Sequence, residues 1–294
     1  MIVAIDLGGS KVAGALVTAR GRIRGRVVEP LDRRSSTAIV RQVHRIARRL
    51  LDEAGSAGGI GIAVPGLVRP NGRVWAPNLP GWRSVPLASR LRRLLGVPVV
   101  VESDRNAAVL GESWKGAARG RHDVVVLMIG TGIGAGILSG GRIVRGAHEL
   151  SGCAGWQVVT DDVDARARRV GALEALAAGP AIARHARVRD TRELATAARR
   201  GDRRARKSFA HAGALLGRAV ANIVSLLNPE VIVLSGGLTD AADLFLPSLR
   251  HVALTSSQPL AASRTRIAVS RLGADANLLG AARVVWDRLE DRTV

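Results

Sequence analysis

Two glycine-rich segments, each following an apolar run, have the residue types that phosphate chemistry uses. The first is Ile5-Asp6-Leu7-Gly8-Gly9-Ser10-Lys11. A strand that ends at Asp6 and turns through Gly8 and Gly9 leaves backbone N–H groups free to face phosphate oxygens. Asp6 would hold Mg²⁺ through water, Ser10 offers a hydroxyl and Lys11 a positive charge. The same residues also read as a tight turn with a surface lysine. The second segment is Gly130-Thr131-Gly132-Ile133-Gly134-Ala135-Gly136. Its spacing approaches a dinucleotide fingerprint with Ala135 at the last glycine, but a strand pattern follows where that fingerprint requires a helix. A strand–turn–strand in which Gly130, Thr131 and Gly132 hold a phosphate fits better, and a purely structural hairpin is the alternative. Two facing loops of this kind can clamp one nucleotide.

Glu102-Ser103-Asp104 lies at the end of a third apolar run, ahead of a helical pattern. Asp104 there could accept a proton from a substrate hydroxyl as that hydroxyl attacks a γ-phosphate. The plainer reading is a helix N-cap, a position that Asp and Ser often occupy. A fourth run closes in Gly236-Gly237, where the backbone could approach a flat ligand such as adenine.

Alternating strands and helices position these segments. Residues 2–5, 11–17 and 23–28 read as an antiparallel meander. Residues 36–54 carry apolar side chains at helical spacing, with Ser36 and Thr37 available as caps. A strand at 59–64 runs into the turn Pro65-Gly66, and a strand at 97–101 delivers residues 102–104 ahead of a helix at 106–119. The second half holds strands at 124–129 and 135–138, helices near 172–187, 191–200 and 202–227, strands at 231–234 and 266–270, and a helix at 277–289. Each half begins with a strand, a glycine turn and a further strand. Two related α/β domains with a cleft between them are therefore expected. One spans residues 1–118 plus 283–294, where the last helix returns, and the other spans 119–282.

The chain has 294 residues, with 44 Lys+Arg against 24 Asp+Glu and a net charge of +20. Only Lys11, Lys115 and Lys207 are lysines, and the arginines are scattered along helices. Clustering, and not total charge, marks a nucleic-acid surface. Seven aromatics (five Trp, two Phe, no Tyr) leave little for base stacking. Solvated surface is the default reading, nucleic acid is not expected as a partner, and small polyanions such as nucleotides are favoured. The single cysteine, Cys153, excludes a disulfide scaffold and points, with the absence of a leader, to a cytoplasmic protein. The apolar stretch 124–138 is interrupted by glycines and too short to span a bilayer, so no membrane association is expected.

Taken together and in order, Ile5–Lys11, Gly61–Gly66 (GIAVPG), Ala76–Trp82 (APNLPGW), Glu102–Glu112 (ESDRNAAVLGE), Gly130–Ile137 (GTGIGAGI), Gly171–Ile182 (GALEALAAGPAI), Asn228–Gly237 (NPEVIVLSGG) and Leu272–Ala282 (LGADANLLGAA) resemble the ROK family of sugar kinases and related repressors. The resemblance implies an α/β, actin/hexokinase-like (ribonuclease H-like) two-domain fold with ATP and Mg²⁺ in the interdomain cleft. It also implies transfer of the γ-phosphate to a hydroxymethyl group of a sugar. Asp104 matches the family's catalytic base. Asp6, Gly8, Gly9, Lys11, Gly130, Thr131 and Gly132 match its phosphate and metal loops, and Gly236 and Gly237 its adenosine side. Gly66, Asn78 and Glu174 fall on the substrate side. Dimers are usual in the family, which implies a homodimer. The repressor branch carries a helix-turn-helix domain ahead of the first glycine loop. Here that loop starts at residue 6, so repression is not expected.

The ring-recognition residues depart from the family pattern. The glutamate that usually holds ring hydroxyls is Cys153, the histidine that serves both sugar and zinc is Trp156, and the asparagine before the catalytic base is Ser103. The zinc cysteines fall on Ala165, Ala167 and Ala172, so no structural zinc is expected. Trp156 and pairs of Asp161 or Asp162 with Arg166 or Arg168 are candidates to hold that loop instead. Losing two charge-assisted hydrogen bonds would weaken glucose by about 10²–10⁴. The expected substrate is thus a sugar-like ring with a primary hydroxyl, such as an aminosugar or C7-cyclitol of secondary metabolism. Trp156 would offer that ring an apolar face or else fill the core, and His148 and Glu149 would supply replacement contacts. A glucokinase-type hexose kinase and a non-catalytic sugar or nucleotide sensor are the alternatives.

Overall fold

Apolar residues in the first strand pair on both sides, which makes it the centre of a sheet. The computed structural model describes residues 1–161 and 164–290. The chain opens with β1 (Ile2–Leu7), β2 (Lys11–Val17), β3 (Ile23–Pro30) and α1 (Ser36–Ala54). Next come β4 (Ile60–Val64), β5 (Leu67–Val68), β6 (Val74–Trp75), α2 (Leu87–Leu95), β7 (Val99–Ser103) and α3 (Asp104–Lys115). The middle holds β8 (Val124–Ile129), β9 (Ile133–Ser139), β10 (Arg142–Ile143), α4 (Ala167–Val170), α5 (Ala172–Ala177), α6 (Gly179–Ala186), α7 (Thr191–Arg199) and α8 (Arg203–Leu227). It ends with β11 (Val231–Ser235), α9 (Ala242–Ser256), α10 (Pro259–Arg264), β12 (Arg266–Val269) and α11 (Asp275–Glu290).

Two compact units result. The first comprises Met1–Gly120, Arg145–Leu150 and the chain from Ala274 on, and the second comprises Arg121–Val144 and Ser151–Gly273. Their sheets repeat one plan, β3-β2-β1-β4-β7 in the first and β10-β9-β8-β11-β12 in the second. In each, an antiparallel hairpin is followed by two strands added in parallel. Parallel neighbours need crossovers, and α1 and α8–α10 lie within those crossovers.

The helix over 36–54 forms as its periodicity predicts, burying Ile39, Val40, Val43, Ile46, Ala47 and Leu50. Its cap is neither Ser36 nor Thr37 but Ser35, whose hydroxyl accepts the Ala38 N–H at 3.1 Å. The expected helix 172–187 is two helices. Ala178 is extended and Pro180 opens α6. The second hairpin is tighter than expected, because β9 begins at Ile133 and takes Gly134 into the strand. The patterns predict none of α2, α4, α9 and α10. Pro247 obscures α9, since it lacks the N–H that an interior helical position donates. By length and apolarity α8 could cross a membrane; here its apolar side, with Phe209, Leu216 and Val220, is the core of the second unit.

In the first unit α11 lies against α3, β1, β4 and β7. The approach is close enough to demand glycine: a Cβ on Gly280 would lie 1.7 Å from the Ala107 carbonyl oxygen, and one on Gly111 2.0 Å from that of Ala276. Overpacking at such a contact costs about 1–3 kcal/mol. Gly280→Ala is expected to lower unfolding stability by about that amount in urea titration, and unchanged stability would show that the two helices are not this close.

Candidate functional site

The first unit brings Asp6, Glu102 and Asp104 to the carboxyl ends of β1 and β7. Asp6, on β1 between Ala13 of β2 and Ala63 of β4, is half-buried. Its Oδ1 accepts the Asn277 Nδ2–H at 3.1 Å. Burial raises its pKa to about 6, against the opposing effects of the Asn277 hydrogen bond and the Lys11 charge. Gly8 and Gly9 turn the chain, with the Gly8 N–H donating to the Lys11 carbonyl at 2.9 Å. Lys11 begins β2, and both it and Ser10 are exposed. Arg33 donates to the Gly9 carbonyl and also, at 3.1 Å, to the Asn78 carbonyl. It thereby ties the glycine turn to the exposed Asn78 loop.

The sequence left open which residue caps the following helix, and Ser103 does so. The Ser103 hydroxyl accepts the Asn106 N–H at 3.3 Å and caps α3. Asp104 is the first helical residue, and its Oδ1 accepts the Arg105 N–H at 2.8 Å. Burial, reinforced by the negative charge of Asp6, pushes the Asp104 carboxyl up to about 7. Below this turn lies Glu102, only 3% exposed. Its Oε1 accepts the Ser103 N–H at 2.8 Å and the Asn106 side-chain amide at 2.9 Å. Arg145 grips it from the other side, at 2.5 Å to Oε2 and 3.2 Å to Oε1. Glu149 also reaches Arg145, at 3.3 Å, from a left-handed backbone (φ 59°), while His148 is exposed. Gly66 forms the turn after β4 at φ 89°.

The second unit brings both of its own glycine segments to one end of its sheet. The Gly130 N–H donates to the Gly132 carbonyl, and the Gly130 carbonyl accepts the Gly179 N–H, both at 2.9 Å. The break between α5 and α6 thus braces the loop. Glu174 supports the other side, accepting the Ile133 N–H at 2.8 Å, and burial raises its pKa. Gly236 has φ 92°, and a Cβ there would stand 2.5 Å from the Ile129 carbonyl oxygen. Gly130, Thr131, Gly179, Gly237 and Leu238 line a cavity of ≈ 810 Å³, a volume within the range of nucleotide-sized sites.

The segment 151–156 packs beside Glu174. The Gly152 carbonyl accepts the Ala135 N–H at 2.7 Å, and residues 154–156 form a 3-10 turn. Trp156 is 56% exposed, which removes the core-filling reading. Asp161 is absent from the ion pairs of the described residues, and Asp162 lies outside those residues. Support comes instead from buried Ala154 and Val159 and from Arg218, which donates to the Val159 carbonyl at 2.8 Å. Cys153 is half-buried. Among the described residues no three His, Cys, Asp or Glu side chains are grouped to hold a metal ion.

Nothing in the sequence alone points to a role for Asn277, Arg33, Glu102, Asn106 or Arg145. Asn277, Glu102 and Asn106 lie within motifs already singled out, whereas nothing local distinguishes Arg33 or Arg145 from the other arginines.

The raised Asp104 value has a stability consequence. Between its ordinary value of 3.8 and about 7, the folded chain holds a proton that the unfolded chain has lost. Stability contributed here therefore falls as pH rises through that window. In EDTA, Asp104→Asn is expected to melt above the parent at about pH 8 and level with it at about pH 4; an equal shift at both would exclude the titration. A second expectation concerns Glu102. Arg145→Gln leaves a buried carboxylate short of its charged partner and should cost about 2–3 kcal/mol in chemical denaturation, with no loss if the pair is incidental.

Known proteins are similar to this chain. A glucokinase of Thermotoga maritima is 32% identical over 98% of each chain. A bifunctional enzyme NanE/NanK of Brucella suis is 37% identical over 96% of this chain and 52% of its own length. The crystal structure of a ROK hexokinase from Thermus thermophilus superimposes with a TM-score of 0.86 at 33% identity, covering 99% of both chains. Its likeness extends to both α/β units, the architecture of actin/hexokinase-like two-domain proteins. With residues 2–288 matching the ROK family throughout, the chain belongs to that family.

Proposed function

We propose that this protein is an ATP-dependent kinase that phosphorylates the primary hydroxyl of a sugar-like ring other than glucose, an aminosugar or C7-cyclitol. The observation that carries the transferase reading is Asp104. Its carboxyl is raised to about 7, and the helix-capping task falls to Ser103. A general base works best with a pKa near the operating pH. Asp104 accepts the proton of the attacking hydroxyl, the hydroxyl oxygen bonds to the γ-phosphorus, and the bond from that phosphorus to the β-phosphate oxygen breaks to release ADP.

The nucleotide is assigned to the ≈ 810 Å³ cavity, with Gly130, Thr131 and Gly132 at its phosphates and Gly236 and Gly237 at adenosine. Gly8, Gly9, Ser10 and Lys11 are assigned to phosphate contacts from the first unit. The donor set suits Mg²⁺: Asp6 is a hard oxygen ligand whose charge already burdens Asp104. Mg²⁺ bound with ATP would neutralise charge on the phosphates. Asn277 orients Asp6 for that task through its 3.1 Å hydrogen bond.

The choice of ring rests on Cys153, Trp156 and Ser103, which stand where the family's ring contacts are expected. Exposed Trp156 offers a flat apolar surface, and Glu174, Glu149, His148, Asn78 and Gly66 supply the polar and backbone remainder. The glucokinase and hexokinase relatives favour glucose as the second reading.

An ADP-release screen with hexoses, aminosugars and C7-cyclitols separates these readings. The highest kcat/KM is expected on an aminosugar or cyclitol; highest on glucose would restore the glucokinase reading, and binding without ADP release would mean a sensor. On the best acceptor, Asp104→Asn should lower kcat by about 10²–10⁴ with nucleotide affinity retained. Unchanged turnover would remove Asp104 from its role.

A further inference from the structure

We infer that the first unit carries a second ligand site, a cavity that binds a phosphate-bearing small molecule through Arg69, Arg92 and Arg288. The cavity measures ≈ 460 Å³, and its lining includes the β7 edge from Val99 to Glu102. Asp6, Gly8, Gly9, Lys11 and Asp104 are not among its walls, so it is distinct from the carboxylate pair; it shares Glu149 with the residues assigned above to the ring, but its ligand chemistry does not depend on the kinase reading.

Charge in this cavity is not balanced. Its two carboxylates, Glu102 and Glu149, are both engaged by Arg145. Arg69, Arg92 and Arg288 also line it, and among the described residues none of the three has a carboxylate partner. Four guanidiniums against two carboxylates leave a surplus of two positive charges. The arginines come from three separate elements, namely the turn after β5, α2 and the last turn of α11. They are brought to one concavity only by the fold. Arg92 is anchored, donating from Nη2 to the Val99 carbonyl at 3.2 Å, which holds its planar fork over the free edge of β7.

Guanidinium forks match phosphate oxygens in pairs and keep their charge at every accessible pH. A concave site of this size takes a small molecule. A polymer tracking a basic surface would need a stripe instead. The ligand chemistry is therefore a phosphate monoanion or dianion, supplied either free or as part of a phosphorylated metabolite.

Calorimetric titration of the full chain, saturated with AMPPNP and Mg²⁺, tests this with two probes, inorganic phosphate and glucose 6-phosphate. Saturable binding of at least one probe is expected. Arg92→Gln/Arg288→Gln should weaken it by at least about tenfold, whereas Arg203→Gln/Arg204→Gln, an equal charge change at the start of α8, should leave it intact. Tighter binding of the sugar phosphate would show that the cavity reads the attached metabolite, and equal or weaker binding that it reads phosphate alone. Absence of saturable binding, or equal weakening in both double variants with unchanged circular dichroism, would overturn the site.

Discussion

Negative charge confined in a poorly solvated place is the constraint around which the first unit is arranged. Burial raises the proton affinity of both Asp6 and Asp104, and the charge of Asp6 adds to the effect on Asp104. Two such carboxylates destabilise a fold unless neighbouring groups answer them. The Asn277 amide, the Lys11 charge and the Arg105 N–H do so in part. The seam between α11 and α3, made possible by Gly280 and Gly111, brings Asn277 to β1. Small residues packed in the core thus serve electrostatics at its edge.

Glu102 shows the opposite arrangement in the same unit. It is more deeply buried than Asp104, yet Arg145, Ser103 and Asn106 satisfy it. A fully partnered carboxylate is a rigid support, and a partly partnered one two residues later retains an affinity for protons. Neighbouring acids on one strand end thereby acquire different chemistry from their surroundings alone.

In the second unit the glycine loop is held by its neighbours. Gly179 donates to Gly130, and Glu174 accepts from Ile133. The break between α5 and α6 and the buried acid of α5 both serve this loop. The Glu174 carboxylate carries part of the loop's own hydrogen bonding. The adjoining segment 151–156 keeps its shape through backbone bonds and Arg218, which leaves Trp156 turned to solvent.

The sequence by itself determined the longer strands, the glycine turns and most helices, because alternation, helical periodicity and glycine act over a few residues; the two-residue strands β5, β6 and β10 carry too little pattern to be read. Lys11–Val17, Ser36–Ala54 and Val124–Ile129 form where their patterns place them. Local signals misled where a competing feature intervened, as at Pro247 within α9 and at Ala178 between α5 and α6. Only the tertiary structure decided which polar groups meet. Asn277 reaches Asp6 across 271 residues, and Arg145 reaches Glu102 across 43. Nor could any window of sequence set the proton affinity of Asp104, since solvation and the charge of Asp6 depend on which strands lie side by side. Chemistry-bearing residues were legible as types at a spacing, whereas their environment is a property of packing among distant segments.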